Sequence, residues 1–201
     1  MGYGRNCPSF LTFCKAKFEV CAHKFVDLSE FGYGVALLND CKYGFSVKGS
    51  TISMSILRAP KAPDDSCDIG RHTFRYALQP HSGSFLESEV VRNGYEFNCP
   101  LIVTPGSASS NIGSFITVDK SNIVVDTIKQ SEDGKSLVIR CYESYGGRGQ
   151  VLVKSAFPIA SGWISNILEE CEKKLDISED KKSFILPYTP FKLITVRLDL
   201  Q

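Results

Sequence analysis

The stretch from residue 33 to residue 44 reads Tyr33-Gly34-Val35-Ala36-Leu37-Leu38-Asn39-Asp40-Cys41-Lys42-Tyr43-Gly44. Its first part is apolar and predicts a strand that is buried on both faces. The apolar run stops at side chains that can donate, accept or ionise, and a glycine closes the cluster. Polar groups at the end of a buried strand are typical of a ligand-facing loop on a rigid scaffold. A plain strand end, with Asn39 and Asp40 starting a turn, is the alternative interpretation.

The rest of the chain predicts many short strands separated by turn residues. Apolar and polar residues alternate over Thr51–Leu57, which places one face of that strand in a core and the other in water. Lys48-Gly49-Ser50 before it predicts a hairpin turn. One helix is predicted over Ile164–Leu175, where apolar residues recur at helical spacing. The other predicted strands are Phe10–Val20, Phe45–Val47, Thr73–Leu78, Tyr95–Val103, Phe115–Val118, Ile123–Ile128, Ser136–Tyr142, Val151–Phe157, Ser183–Leu186 and Phe191–Leu200.

This pattern of strands predicts the fold class. Short strands with turn signals between them, and at most one short helix, are typical of an all-β protein, here an antiparallel two-sheet β-sandwich. With 201 residues, the chain can bury a sizeable core.

Composition and charge exclude several classes of function. The net charge of +1 gives no electrostatic footprint for nucleic acid. No apolar run reaches the roughly 18 residues that predict a membrane-spanning helix. We therefore expect no nucleic-acid partner and no membrane partner.

Eight cysteines are scattered along the chain without a Cys-x-x-Cys pair. The short apolar segment Phe10–Phe13 is too brief for the hydrophobic region of a signal peptide. Scattered cysteines without a secretory signal predict reduced thiols and a cytoplasmic protein.

Several blocks in the sequence resemble the carboxy-terminal part of glycoside hydrolase family 38. His23–Gly32 runs directly into the opening stretch, and Leu57–Pro63 and Tyr76–His81 follow in the same order as in the family. The cytosolic-type α-mannosidase branch is the most similar. The resemblance extends over residues 16–201, which predicts a family 38 carboxy-terminal β-sandwich domain there. Residues 1–15 do not resemble the family and are predicted to be a separate amino-terminal segment.

The resemblance implies a role in an α-mannosidase that hydrolyses terminal α-linked mannose in oligosaccharides, and so in mannose and glycan catabolism. The family uses a retaining mechanism in which a zinc ion holds sugar hydroxyls. Its nucleophile, general acid and zinc ligands have no counterpart in this sequence. We therefore expect no catalytic residue, no metal ligand and no cofactor in this chain. Zinc is expected in the catalytic domain of the complete enzyme. The chain alone is expected to be inactive and to support that catalytic domain at the rim of its pocket.

The predicted sugar contacts are Asn39, Asp40, Lys42 and Tyr43. A buried strand cannot continue through these residues without leaving polar groups unpaired, so we expect them on a loop with their polar groups facing outward. His81 is a second choice, because Pro80-His81-Ser82-Gly83 matches a family block just after a strand. The expected partners are an α-mannoside oligosaccharide and the catalytic domain.

Other candidate sites are weaker. Asp64–Gly70 suggests a calcium loop, but Ile69 and Arg75 occupy the positions where an EF-hand needs Gly and Glu. Cys67, His72 and His81 could bind zinc only if folding gathers them. Two alternative functions stay open: a free-standing carbohydrate-binding or interaction module derived from such an enzyme, and an autonomous hydrolase.

Overall fold

A computed structural model describes residues 19–106 and 113–201. The chain divides into two compact units, Met1–Val103 and Thr104–Gln201. Every strand pairing within the described ranges is antiparallel, which confirms the predicted all-β, antiparallel class. Most of the predicted strand Phe10–Val20 lies outside the described residues. No helix in the described ranges combines the length and the apolar character needed to cross a membrane.

The described part of the first unit, from residue 19 onward, contains two three-stranded sheets and one α-helix. The strand order is β1-β4-β5 in one sheet and β2-β3-β6 in the other. The 3-10 turn Phe85–Glu87 precedes the helix α1. The bounds are β1 Val20–Cys21, β2 Phe25–Glu30, β3 Tyr33–Asn39, β4 Gly44–Lys48, β5 Thr51–Ser55, β6 Tyr76–Ser82 and α1 Val90–Asn98.

Strand β3 is the apolar half of the opening stretch, and it occupies the centre of its sheet. Ala36, Leu37 and Leu38 are buried, as predicted for this run. Ala36 and Leu38 share a core cluster with Val90 of α1, so the helix covers their face of the sheet. This packing fixes where β3 ends and therefore where the polar loop begins.

The second unit is a β-sandwich. Its sheets have the orders β13-β10-β7 and β12-β11-β14-β9-β8. Side chains from both sheets, including Val153 and Phe184 from one and Ile139 and Val196 from the other, share one buried cluster. The predicted two-sheet packing is therefore confirmed within this unit. The bounds are β7 Ile116–Val118, β8 Ile123–Gln130, β9 Leu137–Glu143, β10 Gly149–Ser155, β11 Ile159–Ser165, β12 Cys171–Lys174, β13 Ser183–Tyr188 and β14 Leu193–Leu200.

The predicted helix over Ile164–Leu175 is wrong. Strand β11 ends at Ser165, and β12 begins at Cys171. Between them, Asn166 Oδ1 accepts hydrogen bonds from the N–H groups of Leu168 (3.0 Å) and Glu170 (3.1 Å). A side-chain amide that satisfies the backbone two residues ahead stabilises a turn at the expense of a helix.

The predicted strand over Tyr95–Val103 is also wrong, because α1 occupies its first half. Val90, Val91 and Gly94 form the buried face of this helix, at helical spacing. Arg92 Nε lies 2.9 Å from Glu96 Oε1, an ion pair one turn apart. The apolar residues after the helix, Leu101–Val103, are exposed and belong to no strand.

Candidate functional site

The polar cluster of the opening stretch forms the end of β3 and the loop that leads to β4. Asp40 and Lys42 are half-buried on this loop, and Tyr43 is exposed. Asn39 differs from the expectation of an outward-facing group, because it is the last residue of β3 and is 0% exposed. The structure therefore brings three of the predicted residues together on a loop, with Asn39 beneath them at the strand end.

Both carboxylate oxygens of Asp40 bind Arg75, the residue immediately before β6. The backbone N–H of Arg75 donates to Oδ1 (3.1 Å), and its Nε donates to Oδ2 (3.1 Å). A hydrogen bond from the Cys41 side chain, followed by those from Arg75, lowers the pKa of Asp40 to about 2. Asp40 is therefore ionised at neutral pH and ties the loop to the start of β6.

Arg75 extends this connection to the helix. Its Nη2 donates to the carbonyl oxygen of Phe97 (3.4 Å), and its guanidinium lies 5.2 Å from the centre of the Phe97 ring. Asn98 Nδ2 donates to the carbonyl oxygen of Asn39 (2.9 Å). Sequence reasoning missed Arg75, Phe97 and Asn98, because α1 was interpreted as a strand and Arg75 lies far from Asp40 along the chain.

Lys42 and Tyr43 carry polar groups on the accessible side of the loop, beside the exposed Cys41. Lys42 Nζ lies 5.6 Å from the centre of the Phe74 ring, and the rings of Tyr43 and His23 are 4.4 Å apart. The Tyr43 hydroxyl donates to the carbonyl oxygen of Asp40 at 3.4 Å, near the limit for a hydrogen bond. The loop thus offers an ammonium, a phenol and part of an aromatic face, which suit the hydroxyls and the apolar face of a sugar.

Asn39 is unusual because its side-chain amide has no partner. Neither Oδ1 nor Nδ2 makes a hydrogen bond with the described residues, and both atoms are buried. Buried polar groups in native proteins nearly always have a protein or water partner. Its neighbour across the sheet is Tyr76 of β6, which is exposed. The amide is therefore a group to which a water molecule or a ligand could bind.

The structure does not bring His81 to the loop. His81 pairs with Gly34, whereas Asn39 pairs with Tyr76, so His81 lies five residues along β3, roughly 16 Å away at strand spacing. Its Nε2 lies 2.8 Å from Oδ1 of the buried Asp27. A Cβ on Gly34 would overlap this His81 nitrogen, so the close approach of the Asp27–His81 pair requires glycine at position 34.

Asp27 also accepts a hydrogen bond from the hydroxyl of Ser29. Ser29 and His81 therefore both bind the carboxylate. In a nucleophilic triad the serine is instead bonded to the histidine. This buried cluster holds β2, β3 and β6 together and has no arrangement for nucleophilic catalysis.

Two family models match the chain. The model described as "Glycosyl hydrolases family 38 C-terminal domain" matches residues 11–66. The model described as "Glycosyl hydrolases family 38 C-terminal beta sandwich domain" matches residues 122–196. This chain belongs to glycoside hydrolase family 38. The second match lies within the observed sandwich, and the first includes β3 and the loop.

Curated relatives of this family 38 chain are α-mannosidases. Alpha-mannosidase 2C1 of Homo sapiens is 41% identical over 191 residues, which cover 92% of this chain and 18% of the relative. Alpha-mannosidase G of Dictyostelium discoideum is 42% identical over 192 residues, which cover 90% of this chain and 17% of the relative. The chain therefore spans less than a fifth of the length of these relatives.

A solved structure supports the fold. The crystal structure of an α-mannosidase from Enterococcus faecalis V583 superposes with a TM-score of 0.69 at 19% sequence identity. The match covers 90% of this chain and 21% of that chain. At this identity the likeness shows the fold alone.

The described residues of this family 38 chain do not fit a metal ion. No three His, Cys, Asp or Glu side chains within residues 19–106 and 113–201 are arranged to hold one. In the acidic loop, Asp64 Oδ1 accepts hydrogen bonds from the backbone N–H and the hydroxyl of Ser66, as in an ordinary turn. We assign no metal ligand and derive no metal-dependent step in this chain.

Proposed function

We propose that this family 38 chain is the carboxy-terminal portion of an α-mannosidase that hydrolyses terminal α-linked mannose in oligosaccharides. The observation that carries the proposal is the 41% identity to Alpha-mannosidase 2C1 over 92% of the chain. The match covers nearly all of this chain but only 18% of the relative, so the chain would act as one part of a larger enzyme of this kind. The two carboxyl groups that glycoside hydrolysis needs, and the zinc that would hold sugar hydroxyls, belong to the catalytic portion in this proposal.

The contribution of this chain would be the loop that follows β3. The ion pair between Asp40 and Arg75 fixes the loop, and Lys42 and Tyr43 present their polar groups to sugar hydroxyls at the pocket rim. Positioning matters because a displacement of about 1 Å at a reacting group can cost about a hundredfold in rate. The isolated chain is inactive in this proposal, and the compartment is the cytoplasm.

The experiment is a domain exchange. The matching region of Alpha-mannosidase 2C1 is replaced by this chain, and hydrolysis of an aryl α-mannoside is measured for the exchanged enzyme and for its Asp40→Ala variant. We expect kcat/KM per folded molecule of the variant to fall about ten- to a hundredfold, because the loop is no longer held. Asp64→Ala is the matched control, because that carboxylate lies in an exposed turn.

If Asp40→Ala unfolds the enzyme and leaves the activity per folded molecule unchanged, Asp40 is a turn residue and the loop does not serve the pocket.

A second candidate function is a free-standing carbohydrate-binding module. The unpartnered amide of Asn39, beside the exposed ring of Tyr76, is the observation that favours it. Titration of the isolated chain with methyl α-mannoside tests this alternative. Sub-millimolar binding that is lost in Asn39→Leu would support the free-standing module, and no detectable binding would exclude it.

A further inference from the structure

The sheet β2-β3-β6 has two faces with different surroundings. Residues that pair across neighbouring strands point to the same face of a sheet. The face that carries Ala36 and Leu38 packs against α1. The opposite face carries the alternate residues of β3 and β6, which pair as Tyr33 with Ser82, Val35 with Pro80, Leu37 with Leu78 and Asn39 with Tyr76.

This second face exposes a row of large apolar side chains. Tyr33 is 50% exposed, Tyr76 is 56% exposed and Leu78 is 69% exposed. Pro80 is also exposed, and Phe31 at the tip of the β2–β3 hairpin is exposed completely. We call these five residues the outer stripe. It follows β6 over roughly 20 Å at strand spacing, beside Leu37 and Asn39 of the same face, which are buried.

The outer stripe is large for the surface of an isolated domain. An aromatic side chain buries about 150–250 Å² when it is covered, so these five residues together expose on the order of 400 Å² of mostly apolar surface. Contiguous apolar patches above a few hundred Å² usually mark an interaction site. None of the five carries a charge.

Strand β6 is an edge strand, since within the described ranges it pairs only with β3. An open edge can bind a partner by adding a strand. Pro80 lies in the middle of β6 and has no N–H to donate, so a continuous ladder cannot form along this edge. A partner on this side would therefore contact mainly the side chains of the outer stripe.

We propose that the outer stripe is the surface on which the catalytic portion of a family 38 α-mannosidase docks, an inference that rests on the proposed function. The relatives contain more than four-fifths of their length outside the matched region, which provides a partner large enough to cover the stripe. One end of the stripe, at Tyr76, lies across the strand from Asn39. Docking there carries the loop after β3 to the edge of the partner.

Backbone hydrogen exchange followed by mass spectrometry tests the docking. The exchange of β3 and β6 is compared between the isolated 201-residue chain and the exchanged enzyme described above. We expect β6 amides that are open in the isolated chain to exchange at least about tenfold more slowly in the exchanged enzyme, because the covering partner suppresses local opening. Equal exchange in the two proteins would overturn the proposal. If the exchanged enzyme does not fold, the same comparison is made between intact Alpha-mannosidase 2C1 and its isolated matching region, with the same two outcomes.

A substitution identifies the surface. Leu78→Lys places a charge in the stripe, and we expect it to abolish the slower exchange and to lower the thermal midpoint of the exchanged enzyme. Ile185→Lys is the matched control, because Ile185 is 54% exposed on β13, an edge strand of the second unit. Equal effects of the two substitutions would refute a specific role of the stripe.

The outcomes separate this inference from the proposed function. Activity that depends on Asp40, without slower exchange at β6, would leave the proposed function standing and refute the docking surface. Slower exchange at β6, together with activity that does not depend on Asp40, would support the docking surface and refute the proposed role of the loop. A dimer of the isolated chain that Leu78→Lys dissociates, with unchanged exchange in the enzyme, would assign the stripe to a second copy and overturn the proposal.

Discussion

Replacement of Glu143 by Gln is expected to destabilise the second unit strongly. Glu143 ends β9 and is completely buried. Its carboxylate accepts five hydrogen bonds, three at Oε1 and two at Oε2. The donors are Asn122 Nδ2 (2.8 Å), Tyr145 N (3.0 Å) and Gly147 N (2.9 Å) at Oε1, and Gly146 N (2.8 Å) and Phe191 N (3.0 Å) at Oε2.

The size of the effect follows from the number of donors. In the variant, an amide nitrogen replaces one of the two carboxylate oxygens. Fewest hydrogen bonds are lost when this nitrogen takes the position of Oε2, because it then cannot accept the two hydrogen bonds from the N–H groups of Gly146 and Phe191. A hydrogen bond to a charged group contributes about 1.5–3 kcal/mol, so the loss of two predicts a decrease of roughly 3–6 kcal/mol in the free energy of unfolding. Small domains have only about 5–15 kcal/mol in total.

Urea unfolding of the isolated chain measures this decrease. Trp163, the only tryptophan of the chain, lies in β11 of the same unit and reports its unfolding by fluorescence. Glu132→Gln is the control, because the Glu132 side chain is exposed and forms a surface ion pair with Lys129. A surface ion pair contributes about 0–1 kcal/mol, so the control should unfold almost like the unsubstituted chain.

The pH dependence gives a second readout. Burial raises the pKa of Glu143, but the hydrogen bonds, first among them that from the Phe191 N–H, outweigh burial and lower it from 4.5 to about 2. The stabilisation is therefore present above pH 4.5 and is lost as the pH falls towards 2. The Glu143→Gln variant should lack this part of the pH dependence. A loss of stability below about 1 kcal/mol, equal to that of an exposed pair, or an unchanged pH profile would refute the reasoning.

Three further predictions concern the first unit and the activity. Gly34→Ala should lower the free energy of unfolding by about 1–3 kcal/mol, since the added Cβ would overlap His81. Gly106→Ala is the control, because a Cβ there would meet open space. Urea unfolding followed by circular dichroism measures both variants, and equal stability of the two would contradict the close packing at Gly34. Asn39→Leu should leave the free energy of unfolding within about 1 kcal/mol or raise it, because no hydrogen bond is lost; a larger loss would reveal a partner of the amide. The isolated chain should not hydrolyse an aryl α-mannoside with or without zinc; zinc-dependent turnover that Asp40→Asn abolishes would establish an autonomous hydrolase.

The strands of the fold were largely predictable from the sequence, and the helix was not. Alternation over Thr51–Leu57 predicted β5, and the apolar run through Leu38 predicted the buried strand β3. Ile164–Leu175 has helical spacing by chance, since the side chain of Asn166 forms a turn there. Leu101–Val103 have the composition of a strand but no partner strand in the described ranges. Local pattern does not report whether a partner strand exists.

The candidate site was predictable only in its local part. Asp40, Lys42 and Tyr43 lie together because they are neighbours in the sequence. The partner of Asp40 is Arg75, which lies 35 residues away along the chain. The antiparallel pairing of β3 with β6 brings the two together, and it also separates His81 from the loop. Which residues meet across strands depends on register, and one sequence does not contain that information.

The most direct test of the account is whether this chain can replace the matching part of an α-mannosidase. The exchanged enzyme and a version of Alpha-mannosidase 2C1 truncated before the matched region are assayed on an aryl α-mannoside. We expect turnover by the exchanged enzyme within about tenfold of the intact relative, which is a difference of about 1.4 kcal/mol in transition-state stabilisation, and no turnover by the truncated enzyme. A folded but inactive exchanged enzyme, or a truncated enzyme as active as the intact one, would contradict it.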